Sequence, residues 1–81
     1  MAAKKGVTLA ELSDGMAGTI VSVDLPSATR THLFEMGISK GRAIRLIRRA
    51  PLGDPLEVEV LDYRLAVRVR EAGAIRVRVK P

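Results

Sequence analysis

Among the side chains able to do chemistry, His32 is the sole histidine, and Glu35 follows it three residues later. On a helix that spacing puts imidazole and carboxylate on one face, where they form a local surface pair. The chain has no cysteine, so His32 has no second nitrogen or sulfur ligand with which to share a metal. The segment Gly37-Ile-Ser-Lys-Gly-Arg42 has two glycines and a basic pair, but not the Gly-x-x-x-x-Gly-Lys-Ser/Thr spacing of a phosphate cradle. The remaining carboxylates are scattered on strand faces beside basic residues, which suits cross-strand pairing rather than general acid–base work. These residues predict neither an enzyme nor a cofactor or metal site.

Charge is the second chemical resource. Fourteen Lys and Arg stand against nine acidic residues, a net charge of +5. Such a balance suits nucleic acid, an acidic protein surface, anionic lipid headgroups, or plain solubility. Arg64, Arg68, Arg70, Arg76 and Arg78 are expected on the outward faces of neighbouring strands, with Arg45, Arg48 and Arg49 extending that surface. Single-strand recognition usually adds aromatic platforms. Phe34 and Tyr63 are the only aromatics, Tyr63 sits at a turn, and Glu57 and Glu59 interrupt the basic face. Nucleic acid is therefore not the expected partner. An SH3-like nucleic-acid-binding module using Arg64, Arg68, Arg76 and Arg78 is the alternative reading.

A third feature is Ala50-Pro-Leu-Gly-Asp-Pro55. Two prolines stiffen this segment and Leu52 is offered at its tip, and a rigid loop loses little entropy on binding. The same residue types would also serve a plain tight connection.

Eighty-one residues make one small domain with a thin core. Residues 1–7 are expected to be a frayed tail, and residues 8–81 the domain. Thr8 and Glu11 have capping-box spacing before Leu12, predicting a single helical turn. Asp14-Gly15 signals a turn, and Gly18–Asp24 a strand whose facing is ambiguous because Ile20 and Val21 are adjacent. Leu25–Met36 is the helix, starting at Pro26 or Ser27, turning Thr29, Leu33 and Met36 to one face, and stopping at Gly37.

From Ala43 the period becomes two. Ile44 and Leu46 oppose Arg45 and Ile47; Leu56, Val58 and Val60 alternate with Glu57 and Glu59. Leu65, Val67 and Val69 form the next strand, and Ile75, Val77 and Val79 the last. A hairpin loop at Leu61-Asp62 sets Glu59 opposite Arg64, and one at Asp62-Tyr63 sets Glu57 opposite Arg68; both match aliphatic to aliphatic. Clean alternation implies antiparallel sheet with one dry face. The fold class expected is all-β: a small, partly open SH3-like barrel of about five strands with one inserted helix.

The ordered set Arg30, Leu33-Phe-Glu-Met-Gly-Ile38, Lys40-Gly41, Arg49-Ala-Pro-Leu-Gly-Asp-Pro55, Tyr63-Arg-Leu-Ala-Val-Arg68, Glu71-Ala72 and Ile75 resembles the ferrous iron transport protein A (FeoA) family. The opening Leu9-x-x-Leu12-x-x-Gly15-x-x-Gly18-x-Ile20 matches the family's entry pattern too, so the resemblance runs from Leu9 to Val79. It departs at Thr31-His32, where relatives often have a basic or aliphatic residue.

The resemblance implies a cytoplasmic SH3-like accessory protein of bacterial ferrous iron uptake, acting on the membrane transporter FeoB at its cytoplasmic GTP-binding region. FeoA-like domains also end metal-dependent repressors, but this chain has no room for a repressor's other parts. A ferrous site wants imidazole and carboxylate together, and His32 with Glu35 is too few, so no bound iron is expected in the monomer. The expected partner-binding residues are Met36, Gly37 and Ile38 at the helix end and Leu52, Gly53 and Asp54 in the loop. The three glycines Gly37, Gly41 and Gly53 are assigned structural roles first. Weak self-association through an edge strand is compatible with the pattern. No apolar run approaches the ~20 residues of a membrane helix, and Met1–Gly6 lacks the apolar core of a signal peptide.

Overall fold

A computed structural model describes residues 6–79. Among the described residues there are six strands: β1 (Val7–Thr8), β2 (Ala17–Val23), β3 (Ala43–Arg49), β4 (Leu56–Val60), β5 (Tyr63–Val67) and β6 (Ile75–Val79). Helix α1 spans Ser27–Glu35 and the one-turn α2 spans Val69–Ala72. All pairings are antiparallel, in the order β1-β6-β2-β3-β4-β5. Since β1 and β5 stand at the two ends of that order and do not pair with each other among the described residues, the barrel is open.

The entry turn forms over Leu9–Glu11 as a 3-10 turn, with the Thr8 N–H donating to Glu11 Oε1 at 2.8 Å. It drives Leu9 and Leu12 into the core. Val7, which the sequence reading put in a tail, pairs with Val77 instead. Residues 1–5 of that expected tail lie outside the described residues.

Two β-bulges explain where simple alternation fails. Pairing of β2 with β6 skips from Ile20 to Ser22, leaving Val21 as the extra residue. This is why Ile20 and Val21 can both be apolar: Ile20 stays in the core and Val21 is released from it. A second shift between Leu46 and Arg48 makes Ile47 the extra residue of β3. Parity then flips, so Arg48 faces outward beside Glu57 and Arg49 pairs with the buried Leu56.

The β4–β5 hairpin adopts the loop at Leu61-Asp62, with Val60 opposite Tyr63 and Glu59 opposite Arg64. Its strand ends earlier than the pattern suggested. Leu65, Val67 and Val69 continue a period of two, but Val69 begins α2, whose Ala72 N–H donates to the Arg68 carbonyl at 2.8 Å. The reason lies outside the strand: the Asp54 carboxylate accepts the Val69 N–H and gives that amide a helical start.

The core is aliphatic, as a chain this poor in aromatics requires. Ile20, Leu33, Ile38, Ile44, Leu46, Leu56, Val58, Val60, Ile75 and Val77 are all buried within it, and among the described residues no polar or charged side chain is buried with them.

Candidate partner interface

Helix α1 ends in a complete Schellman motif. The Gly37 N–H donates to the Phe34 carbonyl at 3.0 Å, and the Ile38 N–H donates to the Leu33 carbonyl at 2.9 Å. Gly37 has φ +98°, and a Cβ there would also stand 3.1 Å from Leu61 Cδ1 and 3.2 Å from the Tyr63 hydroxyl. The Tyr63 hydroxyl donates to the Met36 carbonyl. Thus the helix end is stapled onto the tip of the β4–β5 hairpin. Ile38 is 0% exposed and Gly37 is buried, with Met36 only partly accessible. The sequence reading offered all three to a partner; in the fold, Ile38 and Gly37 anchor the helix because the motif turns the chain inward after Met36.

The loop 50–55 behaves differently. The Gly53 N–H donates to the Ala50 carbonyl at 2.7 Å, and the Ala50 N–H donates to the Pro55 carbonyl at 3.0 Å. This closed turn, with Gly53 at φ +94°, lifts Leu52 to 97% exposure. Asp54 points the other way, to α2. The loop and the helix end sit at opposite ends of β4, roughly 14 Å apart along the strand. They form two separate features, of which only the loop offers a freely exposed apolar side chain.

A residue not singled out from sequence is Phe34, 64% exposed on α1. It walls a groove of ≈ 550 Å³ between α1 and β2, lined also by Val21, Val23, Arg30, Thr31 and Lys40. The bulge at Val21 builds this wall, and the Arg30 guanidinium is held near it by donating to the Leu25 carbonyl at 3.1 Å. Its sequence signal was present: Phe34 lies off the Thr29–Leu33–Met36 face.

Much of the arginine surface is structural. Arg45 donates to the Gly15 carbonyl at 2.6 Å. Arg49 donates to the carbonyls of Ala10 and Leu12, the latter at 3.1 Å, fastening the entry turn to β3. Arg48 and Arg64 both pair with Glu57, at 3.0 and 3.7 Å. Nor are the outward arginines on neighbouring strands as expected: β5, bearing Arg64, and β6, bearing Arg76 and Arg78, are separated by β2, β3 and β4. The continuous basic face required by the alternative reading is therefore broken.

With this geometry established, comparison with known proteins is direct. The family model for the FeoA domain matches residues 7–79. The chain belongs to the FeoA family. A FeoA–FeoB fusion protein of Porphyromonas gingivalis, an Fe(2+) transport protein A joined to an Fe(2+) transporter, is 34% identical over 71 residues. That match takes in 88% of this chain but 8% of the fusion protein. The solution structure of FeoA from Chlorobium tepidum superposes with a TM-score of 0.86 at 36% identity, covering 90% of this chain and 70% of that one. A zinc complex of Stenotrophomonas maltophilia FeoA, described as a prokaryotic SH3 domain protein, gives 0.75 at 36% identity, with 89% of each chain covered. The SH3-like assignment holds.

Among the described residues no three His, Cys, Asp or Glu side chains cluster as a metal site. His32 and Glu35 stand exposed on α1. No described helix is long and apolar enough to cross a membrane.

Proposed function

We propose that this FeoA domain is a cytoplasmic accessory protein of bacterial ferrous iron uptake that docks on the cytoplasmic GTP-binding region of a FeoB-type transporter. The observation that carries the reading is the fusion relative. Joining two modules in one chain makes their encounter intramolecular and raises its effective concentration, which serves a function only if the two act on each other. The domain itself holds one apolar side chain, Leu52, out on a closed loop.

Leu52 is the contact on which the proposal rests, with Gly53 shaping its turn and Asp54 fixing the loop against α2. Met36, Gly37 and Ile38 fix the angle of α1 and so place Phe34, the second exposed apolar residue. The basic excess favours approach to an acidic partner surface and speeds encounter at low salt.

The deciding experiment is capture of a purified FeoB cytoplasmic fragment by the wild-type domain, Leu52→Asp and Arg76→Ala. Binding by wild type and Arg76→Ala, but not by Leu52→Asp, supports docking through the loop. Failure of wild type to bind, or equal binding by all three, removes it. Complementation of ferrous uptake in a deletion strain by wild type and Leu52→Asp reads the same contrast in cells.

A further inference from the structure

We infer that the outer edge of β5 is a pairing edge for a second copy of this chain, the two strands running antiparallel about a two-fold axis at Leu65. Strand β5 ends the sheet order. The two-residue turn at Leu61-Asp62 makes Val60 and Tyr63 its closing, hydrogen-bonded pair. Alternation then points the backbone groups of Tyr63, Leu65 and Val67 at β4, and those of Arg64 and Ala66 away from the sheet. Neither Arg64 nor Ala66 makes a backbone hydrogen bond to any described turn or loop. At the opposite edge β1 has only two residues, so β5 offers the longer free ladder.

What selects a second copy is the self-complementarity of Tyr63-Arg-Leu-Ala-Val67. A two-fold axis at Arg64 would oppose two guanidinium groups, and one at Ala66 would oppose Arg64 to the partner's Arg68. Both place like charges face to face, which is destabilising. An axis at Leu65 sets Arg64 opposite the partner's Ala66, Leu65 opposite the partner's Leu65, and Tyr63 opposite the partner's Val67. That register joins about four backbone hydrogen bonds to an aromatic–β-branched pair at each end.

Outer-face charges also match in this register alone. In each protomer Glu59 lies opposite Arg64 and Glu57 opposite Ala66. Across the joined strands a row then reads Glu59, Arg64, the partner's Ala66, the partner's Glu57. Arg64, already 3.7 Å from its own Glu57, gains a second carboxylate across a residue too small to intervene. The half-exposed Leu61 and Tyr63 rings the same edge with apolar surface, which dimerisation covers at both ends.

The test uses the absence of cysteine from the chain. Sedimentation of the wild-type domain up to about millimolar concentration is expected to show twice the 8.8 kDa monomer mass. Ala66→Pro removes an outward N–H while leaving the β4 ladder intact, so it should stay folded by circular dichroism and sediment as monomer. Should it fail to fold, single cysteines decide. Leu65→Cys faces itself across the axis and is expected to oxidise to a disulfide dimer. The more exposed Arg64→Cys, facing the partner's Ala66, is expected to cross-link at least tenfold more slowly. A wild type that stays monomeric, a folded Ala66→Pro that dimerises unchanged, or faster cross-linking by Arg64→Cys overturns the inference. So does β5-edge protection that arises only when a FeoB fragment is added, which would make the occupant another protein's strand.

Discussion

The carboxylate of Asp54 accepts the backbone N–H of Val69 at 3.0 Å, tying the β3–β4 loop to the first residue of α2. This bond holds the start of α2 two residues after β5 ends at Val67, and it fixes the base of the loop that carries Leu52. Asp54→Ala should therefore loosen both, at a cost of about 1 kcal/mol, typical of a lost capping acceptor. For a domain this small that is a fall of ~4–8 °C in melting temperature. Asp54→Asn keeps an acceptor oxygen and should recover most of it. Amide exchange at Val69 is the local readout, and unchanged protection there in Asp54→Ala would refute the cap.

Two glycines with nearly the same backbone angle should respond differently to alanine. Gly37 at φ +98° would bring a Cβ against Leu61 and the Tyr63 hydroxyl, whereas Gly53 at φ +94° has nothing within 4 Å. Gly53→Ala should cost only the left-handed backbone term, about 1–2 kcal/mol. Gly37→Ala adds the disturbance of the Tyr63–Met36 bond and of hairpin packing, and should cost about 1–3 kcal/mol more. Equal denaturant midpoints for the two variants would mean the hairpin yields freely and the staple holds little.

Arg48 and Arg49 are neighbours in sequence with unequal duties. Arg48 makes an exposed ion pair with Glu57, so Arg48→Ala should cost no more than about 1 kcal/mol. Arg49 satisfies two main-chain carbonyls of the entry turn from a half-buried position. Hydrogen bonds from a charged donor contribute more, and Arg49→Met should cost about 2 kcal/mol and release Leu9–Leu12 to exchange. Urea denaturation of the pair measures the difference, and Arg48→Ala as the more damaging variant would contradict it.

That inequality also marks what the sequence made legible. Local signals read true: the Thr8–Glu11 spacing, the Gly37 stop, and the alternation of Leu56–Val60 and Ile75–Val79 each depend on neighbours a few residues away. What stayed hidden depends on distant chain. A bulge adds one residue without changing composition, so Val21 and Ile47 left only an awkward parity, and the inward turn of Arg49 followed from a shift invisible in the text. Val69 obeyed the strand period until a carboxylate fifteen residues earlier claimed its amide. Sheet order was equally nonlocal: β6 returns between β1 and β2, parting arginines that alternation alone would place together. At the candidate interface, Leu52 could be named because Pro and Gly dictate an exposed turn. The burial of Ile38 could not, since it follows from a Schellman closure onto Leu33 and the hairpin beyond.

The last prediction concerns the breadth of the proposed interface with the transporter fragment. Leu52 and Phe34 are both strongly exposed, so Leu52→Asp and Phe34→Asp should each leave stability within about 0.5 kcal/mol of wild type. Leu52 stands beyond one end of β4, and Phe34 belongs to the helix stapled at the other. A standard interface covers about 800 Å² on each partner, a patch wide enough to include both sites. Each substitution is therefore expected to weaken binding at least tenfold, about 1.4 kcal/mol. Because the sites lie well apart, the losses should add in the double variant. Titration calorimetry of the four proteins against one FeoB cytoplasmic fragment measures this. Loss confined to Leu52→Asp would restrict the footprint to the loop end of β4, and loss confined to Phe34→Asp would move docking to the α1–β2 groove and remove Leu52 as its anchor.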